Sequence, residues 1–179
     1  MILGINKLLE LVKENSLIEN LCDKELNNPT GAGFDLRINE IFEFTSGGML
    51  GIHERHTPET KSLAKFEDKE EKFVNLEPNK WYVVQTVEKV NCPKNLVGFV
   101  FPRSTLYRSG ILLRGGVVDP GYSGKLAFGL INMNDTPFRL EIGSRLANIS
   151  FFEVKGEANP YQGKWQGGRV STPEKEKQI

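Results

Sequence analysis

A run of short apolar segments, separated by glycine and proline clusters, occupies residues 98–124. One apolar segment ends at Pro102-Arg103-Ser104-Thr105, and a second, Ile111 to Leu113, follows a glycine. The segment Gly115 to Tyr122 then holds two turn clusters. Short apolar segments broken by turn residues are typical of strands joined in hairpins. The stretch therefore predicts a fold rich in antiparallel strands.

Strand patterns recur along the rest of the chain. The predicted strands share alternating or continuous apolar residues and end at turn residues; they cover residues 34–38, 41–44, 81–90, 96–101, 126–133, 138–142 and 145–154. Ahead of them, Ile5, Leu8, Leu9 and Val12 form one apolar stripe, which predicts a helix within residues 1–14 that packs on the core. Many short strands with one helix in front indicate an all-β sandwich or barrel.

Four segments lack a strong strand or helix pattern. Residues 15–32 are polar and predict a loop. Residues 45–72 end in an unbroken charged run and predict a solvated excursion, because they have too few apolar residues for a core of their own. Residues 156–170 are rich in Gly, Gln and aromatic residues and predict a mobile C-terminal lid, while residues 171–179 predict a charged, frayed tail. We expect one domain over residues 1–170.

The charge balance limits which ligands the chain binds as its main task. Lysine plus arginine and aspartate plus glutamate each number 23, so the formal net charge is zero. A neutral chain argues against nonspecific binding of nucleic acid polymers or membrane surfaces, but a few local cations can still hold a small anion. No apolar run reaches membrane-spanning length, and two cysteines are too few for a disulfide framework. These features predict a cytoplasmic protein without a membrane partner.

The turn clusters carry side chains that suit an anionic ligand, and each also has an ordinary structural explanation. Asp119 precedes Pro-Gly, so it can act as an acid or base or simply shape the turn. Arg103 beside Ser104 offers a planar fork of donors and a hydroxyl to phosphate oxygens, or it belongs to a surface loop. Asp35 can be an acid linked to a metal or a strand-edge residue. Tyr122 can stack on a sugar or base, or pack in the core.

Motifs for several other chemistries are missing from the sequence. The group His53-Glu-Arg-His56 lacks the three or four well-placed ligands that zinc requires, and the cysteines are isolated. The zinc-deaminase signature, the Walker phosphate loop and the nucleophile elbow of the α/β-hydrolases are all absent. We therefore interpret both histidines as solvated.

Four sequence blocks stand in the order found in one enzyme superfamily. They are Gly31-Ala-Gly-Phe-Asp-Leu36, Pro102-Arg-Ser-Thr-Leu106, Gly116-Val-Val-Asp-Pro-Gly-Tyr-Ser-Gly124 and Gly143-Ser-Arg-Leu-Ala-Asn148. Through these blocks nearly the whole chain resembles the dUTPase and dCTP deaminase superfamily. The resemblance implies a mainly β fold, a distorted jelly roll or β-barrel-like sandwich of the dUTPase-like β-clip type. It also implies a homotrimer with active sites at the subunit interfaces.

One position on the strand after the Asp-Pro-Gly-Tyr turn separates the two branches of this superfamily. The resemblance implies that its deaminases use no zinc and need a glutamate there, beside cytosine C4, to activate water and shuttle protons. The corresponding residue here is Gly129, which has no side chain for this work. A strand glycine also leaves a shallow wall against which uracil can lie. The resemblance therefore favours dUTP over dCTP as the substrate.

Resemblance to dUTPases implies hydrolysis of dUTP to dUMP and pyrophosphate. Asp119 would be the general base that orients a water for in-line attack on the α-phosphorus, with Mg²⁺ bridging the triphosphate. Arg103 and Ser104 match the phosphate-binding pair of the family, and Arg108 would assist them. Asp35 matches the acid that contacts the metal through water.

The same resemblance assigns further nucleotide contacts. Hairpin backbone groups would read uracil, an aromatic ring would pack under deoxyribose, and a C-terminal lid would cover the triphosphate. The residues so assigned are Gly115, Gly116, Val117 and Val118 in the hairpin, Tyr122 and Gly129 around the nucleoside, Asn148 in the fourth block, and Tyr161, Lys164 and Gln166 in the lid. Asn148 stands where dUTPases usually have glutamine, so its amide reaches one methylene less far.

Two other functions remain open from the sequence, and a purely structural β sandwich is a third interpretation, which the order of the motifs disfavours. A dCTP deaminase, alone or combined with a diphosphatase, would need another carboxylate in place of residue 129. A catalytically idle relative that binds nucleotide for regulation would not need the intact Asp119, Arg103 and Ser104 that the chain retains.

Overall fold

The computed structural model describes residues 1–172 and 174–178, in which antiparallel strands form a curled sheet and helices are few. The helices are α1 (Ile5–Asn15), α2 (Asp23–Asn27) and α3 (Ser104–Arg108). The strands are β1 (Ile18–Glu19), β2 (Phe34–Phe44), β3 (Met49–Leu50), β4 (Glu54–His56), β5 (Thr60–Lys65), β6 (Phe73–Leu76), β7 (Trp81–Asn91), β8 (Leu96–Pro102), β9 (Ile111–Arg114), β10 (Val117–Val118), β11 (Ser123–Asn132), β12 (Phe138–Glu141), β13 (Arg145–Glu153) and β14 (Glu176–Lys177). The predicted mainly β, dUTPase-like fold class is confirmed.

Strand β2 connects the two halves of the main sheet. The strand order is β10-β8-β13-β2-β7-β11-β9, with β1 added to β7 and β5 added to β2. The first residues of β2 pair with β13, and the residues from Ile38 onward pair with β7. The register shifts between Ile38 and Glu40, and such a bulge bends a strand and increases its twist. This bend allows one long strand to serve both halves of a sheet that curls around the core.

The apolar stripe of α1 packs on the core, as the sequence predicts. Leu8 is fully buried, and Ile5, Leu9 and Val12 are partly buried against the same cluster. The helix ends at Ser16, which has a left-handed φ of 52° and whose N–H donates to the Val12 carbonyl at 3.1 Å. Large side chains such as Phe34, Tyr82 and Phe151 fill the centre of the core. None of the described helices is long and apolar enough to cross a membrane.

The predicted loop over residues 15–32 is wrong in part, since this segment contains β1 and α2. Leu17 and Ile18 are buried, and Ile18 pairs with Val90 on β7. Polar residues flank Leu17 and Ile18 in the sequence, so no local pattern indicates that these two side chains are buried. Their burial depends on the pairing of β1 with β7. In α2, Glu25 is buried to 1% exposure, so a charged residue of this segment also faces inward.

Residues 45–72 also contain regular structure that the sequence did not predict. Strands β3 and β4 pair with each other, and β5 pairs with β2 along residues 40–44. The charged residues 67–71 are exposed, as expected of a solvated turn. Hydrogen bonding to an existing sheet stabilises β5 without a core of its own.

The C-terminal residues lie against the body of the protein. Gly167 forms a bridge with Gly124 of β11, and the Gln85 side-chain amide donates to the Gly168 carbonyl at 2.6 Å. The expectation of a frayed tail is wrong for its described part, because β14 pairs with β4 in a register that places Glu176 opposite Arg55. Pro173 and Ile179, which the predicted tail includes, lie outside the described residues.

Candidate active site

A cavity of about 530 Å³ opens beside the turn that follows β10. Its lining comes from the hairpin, from β11 and from the C-terminal segment; the residues that concern its chemistry are Gly116, Val117, Val118, Asp119, Tyr122, Lys125, Tyr161, Trp165 and Arg169. Apolar side chains from β2, β7 and β8 also line it, together with Thr57 and Pro58. The fold therefore joins the predicted base-reading hairpin to the predicted lid in one concave site.

Hydrogen bonds to Cys92 and close packing against Pro160 fix the turn that carries Asp119. Gly121 has a left-handed φ of 81°, and a Cβ there would lie 2.8 Å from Pro160 Cβ, so this position requires glycine. The Gly121 N–H donates to the Cys92 carbonyl at 2.9 Å, and the Cys92 N–H donates to the Tyr122 carbonyl at 2.8 Å. Burial, followed by the negative charge of Asp119, raises the pKa of the Cys92 thiol to about 12.

The Asp119 carboxylate is exposed at the cavity and uncommitted. No hydrogen bond or ion pair joins this carboxylate to another residue in the described part of the chain. Within that part, Asp119 is also the one acidic residue in the cavity lining. A fixed turn with a free carboxylate can orient a water molecule and accept its proton.

Tyr122 forms a rigid side of the cavity. Tyr122 is 8% exposed, and its ring meets the Tyr161 ring edge to face, with centroids 5.4 Å apart. Its hydroxyl donates to the Lys125 carbonyl at 2.6 Å. Burial, with a smaller effect of Tyr161, raises the pKa of Tyr122 to about 12, so the hydroxyl stays protonated and keeps this bond at neutral pH. A ring fixed in this way can pack under a sugar.

The hairpin glycines differ in what surrounds them. A Cβ on Gly116 would have no atom within 4 Å, so this cavity residue leaves open space for a ligand. A Cβ on Gly115 would lie 3.1 Å from the Val100 carbonyl oxygen, and Gly115 does not line the cavity. The structure therefore explains Gly115 by close packing on β8, and its approach to the base stays a prediction. Val117 and Val118 both line the cavity.

The predicted lid residues have three different environments. Tyr161 lines the cavity. Gln166 fastens the segment to the turn, since its Oε1 accepts from the Ser123 N–H and its Nε2 donates to the Gly121 carbonyl, both at 3.2 Å. Lys164 is exposed, and neither Lys164 nor Gln166 is part of the cavity lining. The roles predicted for these two residues are therefore not supported by their positions.

A second polar cluster lies around Asp35 and outside the cavity lining. Arg145 Nη1 donates to Asp35 Oδ2 at 3.1 Å, Arg103 Nη1 pairs with the same oxygen at 3.2 Å, and Asn148 Nδ2 donates to Oδ1 at 3.1 Å. The buried Glu25 accepts the Asp35 N–H at 3.1 Å and pairs with Arg145 at 3.7 Å. Both Asp35 oxygens are thus engaged by cations or an amide, which disfavours the predicted contact with a metal.

Ser104 and Arg108 lie in α3, a short helix that the sequence analysis did not predict. The helix forms around Leu106, which is buried and whose N–H donates to the Arg103 carbonyl at 3.0 Å. Five residues of mixed polarity are too few to show a helical period in the sequence. Ser104 and Arg108 are both exposed, and the single chain brings neither to the cavity.

Gly129 lies under the indole ring of Trp81. A Cβ at position 129 would lie 2.2 Å from Trp81 Cζ2 and 2.9 Å from Cε2. Gly129 does not line the cavity, so its predicted role as a wall for uracil is not supported within one chain. The glycine instead permits the close approach of a large aromatic side chain from the neighbouring strand β7. The same ring leaves no space for a carboxylate side chain at this position.

The described residues provide no built metal site. No group of three or more His, Cys, Asp or Glu side chains in residues 1–172 and 174–178 could hold a metal ion. Asp119 is a single free carboxylate, and Asp35 is already paired. These residues do not fit a resident Mg²⁺.

A curled β sheet with a cavity beside a glycine-rich turn defines a protein of the dUTPase-like fold. A family model described as dCTP deaminase-like matches residues 2–154, and the chain belongs to that family. Enzymes that act on deoxynucleoside triphosphates make up this family, as the names of the relatives show. The resemblance deduced from the four sequence blocks is thereby confirmed.

Sequence relatives fall into both functional branches. The chain is 36% identical over 137 residues to a probable deoxyuridine 5′-triphosphate nucleotidohydrolase of Aeropyrum pernix, covering 76% of this chain and 83% of the relative. It is 30% identical over 169 residues to a dCTP deaminase of Pyrococcus horikoshii, covering 94% and 96%. A dUMP-forming dCTP deaminase of Persephonella marina is 29% identical over 174 residues, covering 96% and 95%. Sequence similarity therefore leaves the reaction open.

Solved structures show the same fold. The dCTP deaminase of Agrobacterium tumefaciens matches with a TM-score of 0.65 and 20% identity, covering 84% of this chain. The match spans 46% of that deaminase, so this chain corresponds to about half of its length. A variant of the Staphylococcus bacteriophage 80alpha dUTPase with dUpNHpp matches with a TM-score of 0.50 and 18% identity, covering 81% and 89%. At these identities the likeness concerns the fold alone.

Several residues at the cavity and at the Asp35 cluster were not singled out from the sequence. Lys125 is a cation in the cavity lining, where it lies together with Arg169, and Trp165 adds an aromatic wall. Arg145 and Glu25 complete the Asp35 cluster. The block Gly143 to Asn148 contains Arg145, so it could have been singled out there. Glu25 gave no signal, because an isolated glutamate in a polar segment predicts an exposed side chain.

Proposed function

We propose that the protein hydrolyses dUTP to dUMP and pyrophosphate. The observation that carries this proposal is the pairing of a free Asp119 carboxylate in the cavity with Gly129, whose side-chain space is filled by Trp81. The family resemblance implies that deamination needs a carboxylate at position 129, whereas hydrolysis needs one only at the turn. The chain retains the carboxylate at the turn, Asp119, and Trp81 occupies the space that a carboxylate side chain at position 129 would need.

In the proposed reaction, Asp119 holds a water molecule in line with the α-phosphorus. The water oxygen bonds to phosphorus as the bond to the bridging oxygen of the β-phosphate breaks, and pyrophosphate leaves. The water proton passes to the Asp119 carboxylate. Positioning supplies much of the rate enhancement in phosphoryl transfer, which suits a carboxylate fixed on a tightly anchored turn.

The cavity lining offers a partner for each part of the nucleotide. The open space beside Gly116 and the backbone of Val117 and Val118 would take uracil, with Tyr122 under the deoxyribose. Cations from Lys125 and Arg169 would face the phosphates. Arginine suits phosphate oxygens because its planar fork donates two hydrogen bonds at once.

Mg²⁺ enters this proposal together with the substrate. Because the described residues form no metal cage, the ion would arrive bound to the triphosphate oxygens and keep most of its waters, as Mg²⁺ commonly does. Its chemical contribution would be to neutralise negative charge on the pyrophosphate. This chain's own residues orient the water, the sugar and the base.

In a homotrimer, residues of the Asp35 cluster and of α3 could contact the nucleotide bound to a neighbouring subunit. Arg103, Ser104, Arg108 and Asn148 lie outside the cavity lining of their own chain, so we propose that a neighbouring subunit presents them to the phosphates. Symmetric oligomers commonly place such groups at subunit interfaces. Light scattering should then give a molar mass three times the 20.2 kDa of the chain.

A dCTP deaminase, alone or joined to the diphosphatase, is the second candidate. The match to a dCTP deaminase-like family model and relatives named dCTP deaminase favour it. This reaction would require a carboxylate other than residue 129 to serve cytosine C4. A nucleotide-binding relative without catalysis is a further alternative.

Product analysis of the purified protein distinguishes these functions. The protein is incubated with Mg²⁺ and either dUTP or dCTP, and products are resolved by base identity and phosphate number. We expect dUTP to yield dUMP while dCTP stays intact. Formation of dUTP or dUMP from dCTP would support a deaminase and contradict the argument from Gly129. Binding of dUTP without turnover would favour a regulatory role.

A further inference from the structure

Four side chains, one from β4 and three from the C-terminal residues, meet beside the cavity. Glu176 Oε1 accepts from Arg55 Nε at 2.8 Å and from Arg169 Nη2 at 2.7 Å, and its Oε2 accepts from the same Nη2 at 2.8 Å. The guanidinium carbons of Arg55 and Arg169 lie over the Trp165 ring, 4.9 and 4.7 Å from its centroid. We call this group of four residues the clasp. It joins β4, the C-terminal segment and β14.

Backbone contacts hold β14 against β4 next to the clasp. Glu176 stands opposite Arg55 in the ladder, and the Gln178 N–H donates to the His53 carbonyl at 2.8 Å. Thr57 and Thr172 exchange bonds nearby, since each backbone N–H donates to the other hydroxyl, at 3.0 and 2.7 Å. Thr172 is 2% exposed. These bonds fix the strand that carries the Glu176 carboxylate.

Two members of the clasp also line the cavity, namely Trp165 and Arg169. Arg169 Nε is buried without a hydrogen-bond partner in the described part of the chain, so Nη2 alone connects this guanidinium to Glu176. The clasp is well shielded, with exposures of 18% for Arg55, 12% for Glu176 and 30% for Arg169. Charged contacts at this exposure are screened less than those on an open surface.

Electrostatics explain why the clasp depends on Glu176. Two guanidinium groups beside one ring repel each other, and the carboxylate that bonds to both neutralises this repulsion. The hydrogen bond from Arg169, together with one from Arg55, holds the pKa of Glu176 below its usual range. The carboxylate is therefore charged at neutral pH. A neutral amide in its place would keep the size of the side chain and remove the neutralising charge.

We propose that Glu176 is a positioning residue: through the clasp it holds Trp165 and Arg169 at the cavity, where Arg169 faces the anionic part of the ligand. The ligand chemistry, a deoxynucleoside triphosphate, rests on the proposed function. The contacts within the clasp do not rest on the proposed function, because all four side chains belong to this chain and no nucleotide takes part in them. Trp165, Arg169 and Glu176 lie beyond residue 154, where the match to the family model ends.

Trp165 provides a direct test, since the chain contains only two tryptophans. In the full-length Trp81→Phe protein, Trp165 is the sole tryptophan, and its quenching by acrylamide reports its accessibility. Adding Glu176→Gln should raise the quenching constant at least twofold and shift the emission to longer wavelength. Glu174→Gln, an exposed change in the same tail, is the matched control and should do neither. Unchanged quenching in the Glu176→Gln protein would overturn the clasp.

A nucleotide measurement tests the positioning role. We expect Glu176→Gln to weaken binding of an α,β-imido analogue of dUTP and to raise KM for dUTP by roughly 3- to 10-fold, with kcat within twofold and thermal stability retained. Arg55→Gln should raise KM similarly, and the double variant should show less than the sum of both effects. A released Trp165 with unchanged affinity would overturn the positioning role. If the unsubstituted protein did not turn over dUTP, the proposed function would be wrong. The quenching experiment would still test whether Glu176 holds Trp165 in the clasp.

Discussion

Two aspartates, both assigned to the site from the sequence, have opposite surroundings. Asp119 lies exposed at the cavity, and its carboxylate contacts no donor in the described residues. Asp35 is 14% exposed, and three side chains bond to its oxygens while Glu25 holds its backbone. A free carboxylate is available to bind and deprotonate water, whereas a paired one fixes the positions of its partners. The difference supports the proposed catalytic role of Asp119, whereas the contacts of Asp35 fix the positions of Arg103 and Arg145.

The largest expected effect is on catalysis by Asp119. Asp119→Asn removes the proton acceptor, so we expect kcat for dUTP to fall by roughly 10²- to 10⁴-fold, the usual contribution of general base catalysis. Folding stability should remain, because within residues 1–172 and 174–178 no hydrogen bond or ion pair involves this carboxylate. Steady-state kinetics and thermal unfolding measure both quantities. Asp135→Asn, an exposed change outside the cavity lining, is the control. Near-normal turnover of Asp119→Asn would remove this residue as the base.

Asp35→Asn should give the reverse pattern. The substitution leaves Arg103 and Arg145 close together without their shared carboxylate, which should cost about 1–3 kcal/mol of unfolding free energy. Thermal unfolding should shift downward by roughly 2–4 °C for each kcal/mol. The loss of kcat should be smaller than in Asp119→Asn. An unchanged unfolding temperature together with complete loss of turnover would erase the distinction between the two aspartates.

A third substitution tests why residue 129 is glycine. Gly129→Ala forces a Cβ against Trp81, so we expect a loss of about 1–3 kcal/mol of stability, the usual cost of overpacking. Gly47→Ala, where a Cβ would have open space, should be nearly neutral. Chemical denaturation of both variants measures the difference. Equal stability of the two would show that Trp81 moves aside freely, and the argument against a carboxylate at this position would weaken.

The smallest effect concerns the thiol beneath the turn. Because burial raises the pKa of Cys92 to about 12, this thiol should stay protonated and unreactive at pH 8. Cys22 is partly exposed and should react. Titration of the native protein with a thiol reagent should therefore count one cysteine, and the denatured protein two. Asp119→Asn should leave the native count at one, because burial is the larger cause. Rapid reaction of Cys92 would mean that the turn opens.

Local patterns predicted much of the fold, since the information is contained in neighbouring residues. The stripe of α1 depends on periodicity, and the strands around residues 81–101 depend on their local apolar content; both kinds of element formed as expected. Segment 15–32 was mispredicted because its buried residues contact the edge of β7, whose location no local pattern reveals. The docking of β14 was missed for a similar reason, since Glu176 and Arg55 are 121 residues apart.

In the candidate site too, the features set by neighbouring residues were predictable, and the contacts between distant strands were not. The turn around Asp119 was recognisable because Asp-Pro-Gly is a local signal. The stacking of Trp81 over Gly129 depends on how β7 and β11 pair, which places Gly129 opposite Val83 and beside Trp81. The engagement of Asp35 depends on pairing with β13, where Asn148 stands opposite it. Strand register therefore decides which of the predicted residues contact one another. Local sequence patterns do not reveal the register.

One isotope measurement tests the central claim most directly. A single turnover of dUTP in ¹⁸O-labelled water traces the oxygen that attacks phosphorus. If Asp119 orients water toward the α-phosphorus, one labelled oxygen should appear in dUMP and none in pyrophosphate. Label in pyrophosphate would place the attack on the β-phosphorus, and unreacted dUTP would contradict the hydrolysis altogether.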